Sequence, residues 1–481
     1  MEKKETQGLT VKKKDNISEW YTQVIQKADL ADYTQVSGCI VFKPNSYEIW
    51  ERIKDEVDKR LKSMGIKNTY FPLLIPESLL KKEEEHVKGF SPEVAWVTHG
   101  GDKELNERLA IRPTSETIMY DSYSKWIRSW RDLPLRLNQW NSVVRWEFKH
   151  AIPFLRTREF LWNEGHTAFA TKEEAEQEMK DILKLWQLIC NDYLALPSLA
   201  GQKTEKEKFA GAEYTWTLEF YLPSGKAAQG PDAHFDGQKF ARAFDIKFLD
   251  KDNKERYVYQ NTWAITTRML GILVMIHGDD KGLILPPKIA PTQVVIVPII
   301  TKKDKERVLK KALEIKEELV KNFRVELDDR EIYSPGWKFN EWELKGIPIR
   351  IEIGPKDLEK DQVVVVRRDL NTKKVIKQIH IKKEIEALLD TIQRSLFTKA
   401  KNILQENIIE VKAWKEFDKA IKDKKIAKAH FCNVTSCEDN IKAKLEGAKS
   451  LNIPFEQEEN LKNCAHCGKK AKVVAYFAKS Y

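Results

Sequence analysis

Three short arginine motifs in this 481-residue chain have the composition for chemistry on a nucleotide. They are Arg145-Trp146-Glu147, then Arg156-Thr157-Arg158-Glu159-Phe160 and, much later, Thr266-Thr267-Arg268. An arginine fork grips a phosphate or carboxylate at two points, and its flat guanidinium can cover an aromatic base. Glu147, two residues beyond Arg145, can orient that arginine or a nucleotide amine. Singly, an Arg-x-Glu on a strand is ordinarily a surface ion pair, and only the three motifs together point to a nucleotide site. A second constellation lies near the end of the chain, where Cys432 and Cys437, then Cys464 and Cys467, form two close pairs. Four thiolates so spaced suit a tetrahedral zinc, and Gly468 permits the tight turn of such a knuckle. His430 and His466 adjoin these cysteines and are expected to be solvated neighbours. A filled tetrahedral site has no open position, so the expected role is structural.

The elements that must position these groups follow from periodicity. Asn45 or Ser46 is expected to cap a helix with Ile49, Ile53, Val57, Leu61 and Met64 at helical spacing, ended by Gly65. A strand is expected over 69–76, with strand-like runs at 134–144, 215–222, 240–249 and 257–263 and a helix near 172–195. The pattern predicts a large, mostly antiparallel sheet with helices on it. Beyond Pro286-Pro287 and Pro291 the register changes to a small α/β unit: a strand at 294–300, a helix at 303–321 and a strand at 363–366. A lysine-rich unit from about Phe397 carries the cysteines and a closing apolar run at 473–477. Residues 1–16 read as a mobile basic lead-in. Lys+Arg 83 against Asp+Glu 73 gives a net +10, which favours polyanionic partners. No apolar run reaches the ~20 residues of a membrane span and Met1 opens a polar stretch, so the cytosol is the expected compartment.

Taken together, Ile111-Arg-Pro-Thr114-Ser-Glu116-Thr, Arg145-Trp-Glu147, the run from Phe154 through Arg156 to His166, and Asn261-Thr-Trp-Ala-Ile-Thr-Thr-Arg268 closely resemble the prolyl-tRNA synthetases. More narrowly, they resemble the archaeal and eukaryotic type. The likeness extends from about Ile17 to Tyr481 and includes Lys203 to Gly211, Gly282 to Pro287 and Trp342 to Pro348. It implies a class II catalytic domain on an antiparallel sheet (17–285), an α/β anticodon-binding domain (286–396) and a small zinc-bearing α+β domain (397–481), in a cytoplasmic homodimer. The helix at 45–64 and the strand containing Pro72 resemble the dimerising motif of the class. The terminal Tyr481 also matches the family, in which the chain end approaches the active site.

The implied activity joins L-proline to tRNA(Pro) through prolyl-adenylate, with ATP and Mg2+. The chemistry needs positioning and positive charge rather than a protein base. By similarity, Arg145 and Arg268 are the catalytic arginines, and Arg145 bridges the proline carboxylate and the α-phosphate. Glu147 holds the adenine end, Arg156 and Thr157 reach the phosphates, Phe160 and Arg268 sandwich adenine, and Gln229 and Thr266 hold the ribose. Thr114 and Glu116 accept the two N–H bonds of the proline ring nitrogen, while Trp162, His166, Phe209 and His234 wall the ring. Residues alone would make Thr114 a helix cap and His234 a satisfied loop histidine. Asp232 departs from the family, standing where a threonine would contact nucleotide. Phe339, Glu341, Glu343, Lys345, Arg350 and Lys356 are the expected anticodon readers, with Glu343 and Arg350 directed at guanine. The interval 168–228 is too short for an inserted editing domain of about 100 residues. A threonyl synthetase would need a zinc cluster in the catalytic domain, where only Cys39 and Cys190 occur. A dead paralogue would be expected to lack Arg145, Glu147 or Arg268.

Overall fold

The computed structural model describes residues 8–86, 93–147 and 150–481. Eleven strands form one sheet, and its catalytic half runs Leu199–Gln202, Tyr214–Tyr221, Lys226–Gly237, Tyr259–Thr266, Glu159–Phe169 and Leu135–Val144, antiparallel throughout. Alternation dictates its two faces. Asn163, Thr167 and Asn261 turn to the rear, where Thr167 and Asn261 meet Glu178 on the helix Lys172–Leu188. Trp162, Glu164, His166 and His234 turn to the front. The rear helix starts at a reciprocal Thr171–Glu174 capping box and buries Ala175, Met179, Ile182 and Trp186.

The helix expected from 45 to 64 spans Pro44–Ser63, with the apolar stripe as read. Its start differs, because Pro44 suits the first turn and Lys43 stands at the cap. Asn45 and Ser46 donate instead to the carbonyls of Ala28 and Leu30. The expected strand at 240–249 is a short helix, Lys239–Ala243, followed by the strand Lys247–Leu249. Phe240 and Phe244, four apart, share one helical face toward the core formed with Tyr120 and Phe248. The run 69–76 is strand only at Leu74–Pro76, preceded by the short Lys67–Asn68.

Three parallel strands, Val325–Leu327, Val294–Pro298 and Ile349–Ile353, continue antiparallel into Gln362–Arg367 and Lys373–Lys377 and make the α/β unit. No linker leads onward. The helix Ile381–Glu406 runs straight across the expected boundary at 396/397. The C-terminal unit has a core of its own around Phe417, Phe431, Ile441 and Phe477. Its strands nevertheless extend the catalytic sheet, because Ile453 and Pro454 pair with Gln202 and Gly201, and Lys479 and Ser480 with Lys226 and Ala227. Gly201 allows this approach, since a Cβ there would fall 2.4 Å from the Ile453 carbonyl oxygen.

The lead-in is not loose over residues 8–16, while its first seven residues lie outside the described set. The Lys13 ammonium donates to the Gly278 carbonyl at 2.6 Å, just past the end of the helix Arg268–His277, and sits 4.6 Å over Trp20. A cation at a helix C-terminus is favourable there. No helix among the described residues is long and apolar enough to cross a membrane.

Candidate active site

The front of the sheet carries a cavity of about 540 Å³ to which all three arginine motifs contribute. Thr114, Glu116, Arg145, Glu147, Thr157, Phe160, Trp162, His166, Phe209, Gln229, Asp232, His234, Thr266 and Arg268 all line it. Arg156 does not line the cavity, but its charge acts on Arg268.

At the deep end Glu164, absent from the expected set, is the hub. Its carboxylate accepts from the Ser115 amide at 3.0 Å, Gln139 Nε2 at 3.1 Å, Asn141 Nδ2 at 2.6 Å and His166 Nε2 at 3.1 Å, and from the Ser115 hydroxyl. Burial pushes this carboxyl up, but the donors, led by His166, outweigh it and hold it at about 2. His166 is raised in turn. Burial opposes its charge, and the hydrogen bond to Glu164 and the charge of Glu116 prevail. Glu164 could have been found from the alternation Trp162, Glu164, His166, which puts three functional side chains on one strand face.

Thr114 donates to Glu116 and, at 3.4 Å, to Glu164. It is not a cap, because Ser115 occupies that position and spends its hydroxyl on Glu164. Two acceptors, Glu116 and the Thr114 oxygen, therefore face the cavity. Glu116, Glu164 and His166 also lie close enough together to hold a metal ion. Their oxygens and nitrogens already serve Thr114, Ser115, Gln139, Asn141 and one another, an arrangement suited to an N–H cation rather than a bare dication.

The arginines stand across the cavity. Arg145 is fixed by its Nε–H to the Pro113 carbonyl at 2.9 Å and lies 5.4 Å and 5.3 Å from the Phe160 and Trp162 ring centroids. Arg268 donates to the Leu155 carbonyl at 3.1 Å and to the Gln229 carbonyl at 3.2 Å. Burial and then the charge of Arg145 lower its pKa, against the opposing charges of Asp232 and Glu219. His234 is on the strand Lys226–Gly237, not in a loop. Thr215 Oγ1 is 2.8 Å from its Nδ1, Asp232 is 3.4 Å from its Nε2, and the Phe209 ring lies against it at 5.0 Å between centroids. Asp232 also accepts from Gln229 Nε2 at 2.8 Å.

The expected anticodon residues divide between two flanks of the helix Pro335–Leu344. On one, the Arg350 guanidinium lies 4.2 Å from the Phe339 ring centroid and donates to Glu343 and Glu352. On the other, Glu341 accepts from Arg330, and Lys345 pairs with Glu341 and Asp29. Lys356 lies beyond, on the short helix Pro355–Glu359. Arg350 and Glu343 thus hold each other.

The four late cysteines converge. Cys432 and Cys467 Sγ atoms are 3.7 Å apart and those of Cys437 and Cys464 3.9 Å. Sulfurs about 2.3 Å from a tetrahedral zinc would be about 3.8 Å apart, so the set fits zinc. His430 turns away to Glu458 and the Lys462 amide. His466 Nδ1 sits 3.1 Å from Cys437 Sγ, next to the cluster rather than in it.

The catalytic sheet over residues 96–277 matches the family model described as the tRNA synthetase class II core domain (G, H, P, S and T). Residues 293–392 match the anticodon binding domain and 414–481 the model "Prolyl-tRNA synthetase, C-terminal". A "Proline--tRNA ligase 2" of Bacillus cereus is 50% identical over 482 residues, covering 100% of both chains. The "Proline--tRNA ligase" of Alkaliphilus oremlandii is 52% identical over 97% of this chain and 96% of its own. The chain belongs to the prolyl-tRNA synthetase family. Its fold is the family's, a class II core with an anticodon-binding domain and a C-terminal domain, and both of these relatives are bacterial. The amino acid of a prolyl-tRNA synthetase is a secondary ammonium with two N–H bonds. Residues 170–225 fold into the rear helix, its closing turn, two strands of the catalytic sheet and the loop between them, with no inserted domain.

Proposed function

We propose that this class II synthetase makes prolyl-adenylate in the cavity and passes the prolyl group to the 3′ end of tRNA(Pro). Glu116 and Thr114 receive the two N–H bonds of proline, and Glu164 keeps both in place while supplying negative charge behind them. Trp162, His166, Phe209 and His234 enclose the ring. The substrate carboxylate then faces Arg145, which also takes the α-phosphate. One carboxylate oxygen attacks phosphorus in line, the bond to the bridging oxygen breaks, and pyrophosphate leaves. Magnesium, carried with ATP, supplies further positive charge to the departing phosphates. Glu147 takes the adenine amine, Phe160 and Arg268 cover the base, Arg156 and Thr157 take phosphates, and Gln229 and Thr266 take the ribose. Asp232 acts through Gln229 and His234, both of which it contacts. In the second step a terminal ribose hydroxyl of the tRNA attacks the adenylate carbonyl and AMP leaves.

The observation that carries this reading is that one cavity joins a paired acceptor end to Arg145 and Arg268. Proline-dependent ATP–pyrophosphate exchange tests it, with alanine, threonine and serine in parallel. Strong exchange with proline supports it, and exchange led by another amino acid, or none, overturns it.

The same reading places the chain in the archaeal/eukaryotic type, supported by its C-terminal cysteine domain and the uninterrupted interval at 170–225. Cys432, Cys437, Cys464 and Cys467 hold a structural zinc. The anticodon is read between Phe339 and Lys356, with Phe339 as stacking platform and Glu343 oriented by Arg350. A homodimer forms through the first class II motif, where Tyr70, Leu73 and Leu74 expose apolar surface, Tyr70 at 68%, next to Trp126 at the end of the helix Glu116–Trp126, 51% exposed. Its compartment is the cytoplasm, where tRNA is charged.

A further inference from the structure

The loop 203–211 has two sides. Inward, Glu207, Lys208, Phe209 and Ala210 line the cavity, and the Phe209 amide donates to Thr215 Oγ1, the atom that holds His234. Outward, its contacts are with the C-terminal unit. Thr204 Oγ1 lies 3.0 Å from Ser450 Oγ, which donates to Glu438 Oε1 at 2.5 Å. All three of these side chains are buried, Thr204 at 2%, Ser450 at 0% and Glu438 at 1% exposure. Nearer solvent, Lys449 pairs with Glu207 at 2.9 Å and Lys206 pairs with Asp439. Glu438 and Asp439 directly follow Cys437 on the helix Thr435–Lys444, while Lys449 and Ser450 belong to the strand Ala448–Pro454. A polar chain that is fully buried and fully paired is costly to break at any link, and it specifies a single loop position.

We propose that Glu438, Asp439, Lys449 and Ser450 are positioning residues for the amino-acid pocket, holding the loop 203–211 so that Phe209 closes on His234 over the proline ring. The C-terminal unit thereby serves proline binding in particular. The nucleotide groups sit on Arg145, the segment 156–160 and Arg268, and the anchors of Arg145 and Arg268 are the carbonyls of Pro113, Leu155 and Gln229, whereas the partners of these four residues on the loop are Thr204, Lys206 and Glu207. The inference rests on the proline reading above.

The test uses the full-length protein. Ser450→Ala is expected to raise KM for proline in pyrophosphate exchange about fivefold, the equivalent of one buried hydrogen bond, with KM for ATP unchanged. Lys206→Asp and Asp439→Lys are each expected to raise the same KM about twofold, and the double exchange of charge to restore it. These two sites are near the surface, so the variants remain informative if Ser450→Ala does not fold. Wild-type exchange with proline is the control, and its absence defeats the proline reading itself. If it is present, equal rises in both KM values, or a lowered melting temperature with KM for proline unmoved, would overturn the positioning role alone.

Discussion

Replacing Glu164 by glutamine keeps the side-chain volume and removes the charge that six donors converge on. The carboxyl is held at about 2 against an ordinary value of 4.5, and each pKa unit is about 1.4 kcal/mol, so its ionised form stabilises the fold by about 3 kcal/mol at neutral pH. Because the folded pKa is depressed, that contribution is complete above about 4.5 and is lost as pH falls through about 2. The new amide also directs N–H bonds at groups that are themselves donors, which adds to the loss. Urea unfolding, followed through the buried Trp20, Trp186 and Trp263, reports on the catalytic core. The variant is expected to be about 3 kcal/mol less stable at pH 7, and the gap to narrow to about 2 kcal/mol at pH 3.5. His166 should lose the partner that raises it, so its NMR titration should move downward as burial gains weight. A gap below about 1 kcal/mol at pH 7, or one that does not shrink on acidification, would refute the hub assignment.

Arg145→Lys keeps one charge but loses the fork, and kcat/KM for proline-dependent exchange is expected to fall by about 10²–10³; a loss under tenfold would argue against a bridge to the α-phosphate. Metal analysis of the purified protein should find one zinc per chain, and Cys437→Ser should abolish it and lower the melting temperature. Alanine is smaller than proline, and a closed apolar pocket rejects a missing methylene by only about 1–3 kcal/mol. The protein should therefore form some alanyl-tRNA and leave it intact, and efficient deacylation by the purified protein would contradict this.

What could be read beforehand was whatever rests on local pattern. The helical spacing from Ile49 to Leu61 and the order of the arginine motifs needed no tertiary information, and the expected pocket residues other than Arg156 do meet in one cavity. What could not be read depends on distant segments meeting. Glu164 becomes a hub only when Ser115, Gln139 and Asn141 arrive from a helix start and a neighbouring strand. The mutual contacts of Glu343 and Arg350 could not be read either, because nothing in a linear pattern says that a guanidinium will be claimed by Glu343 and Glu352. Phe240 and Phe244 read as strand because closely spaced apolar residues in a short run fit both periods.

The pairing of Ile453 and Pro454 with Gln202 and Gly201 has a consequence for how the chain must be handled. Without the C-terminal strands, Leu199–Gln202 would be left as an open sheet border with bare amide and carbonyl groups next to the apolar side chains of Leu199 and Tyr221. Such a border is a template for association with other chains. A version cut after the helix Ile381–Glu406 would be expected to come out of expression as aggregate rather than as a soluble, merely inactive enzyme. The end of the chain therefore acts as a built-in guard for the sheet that precedes it.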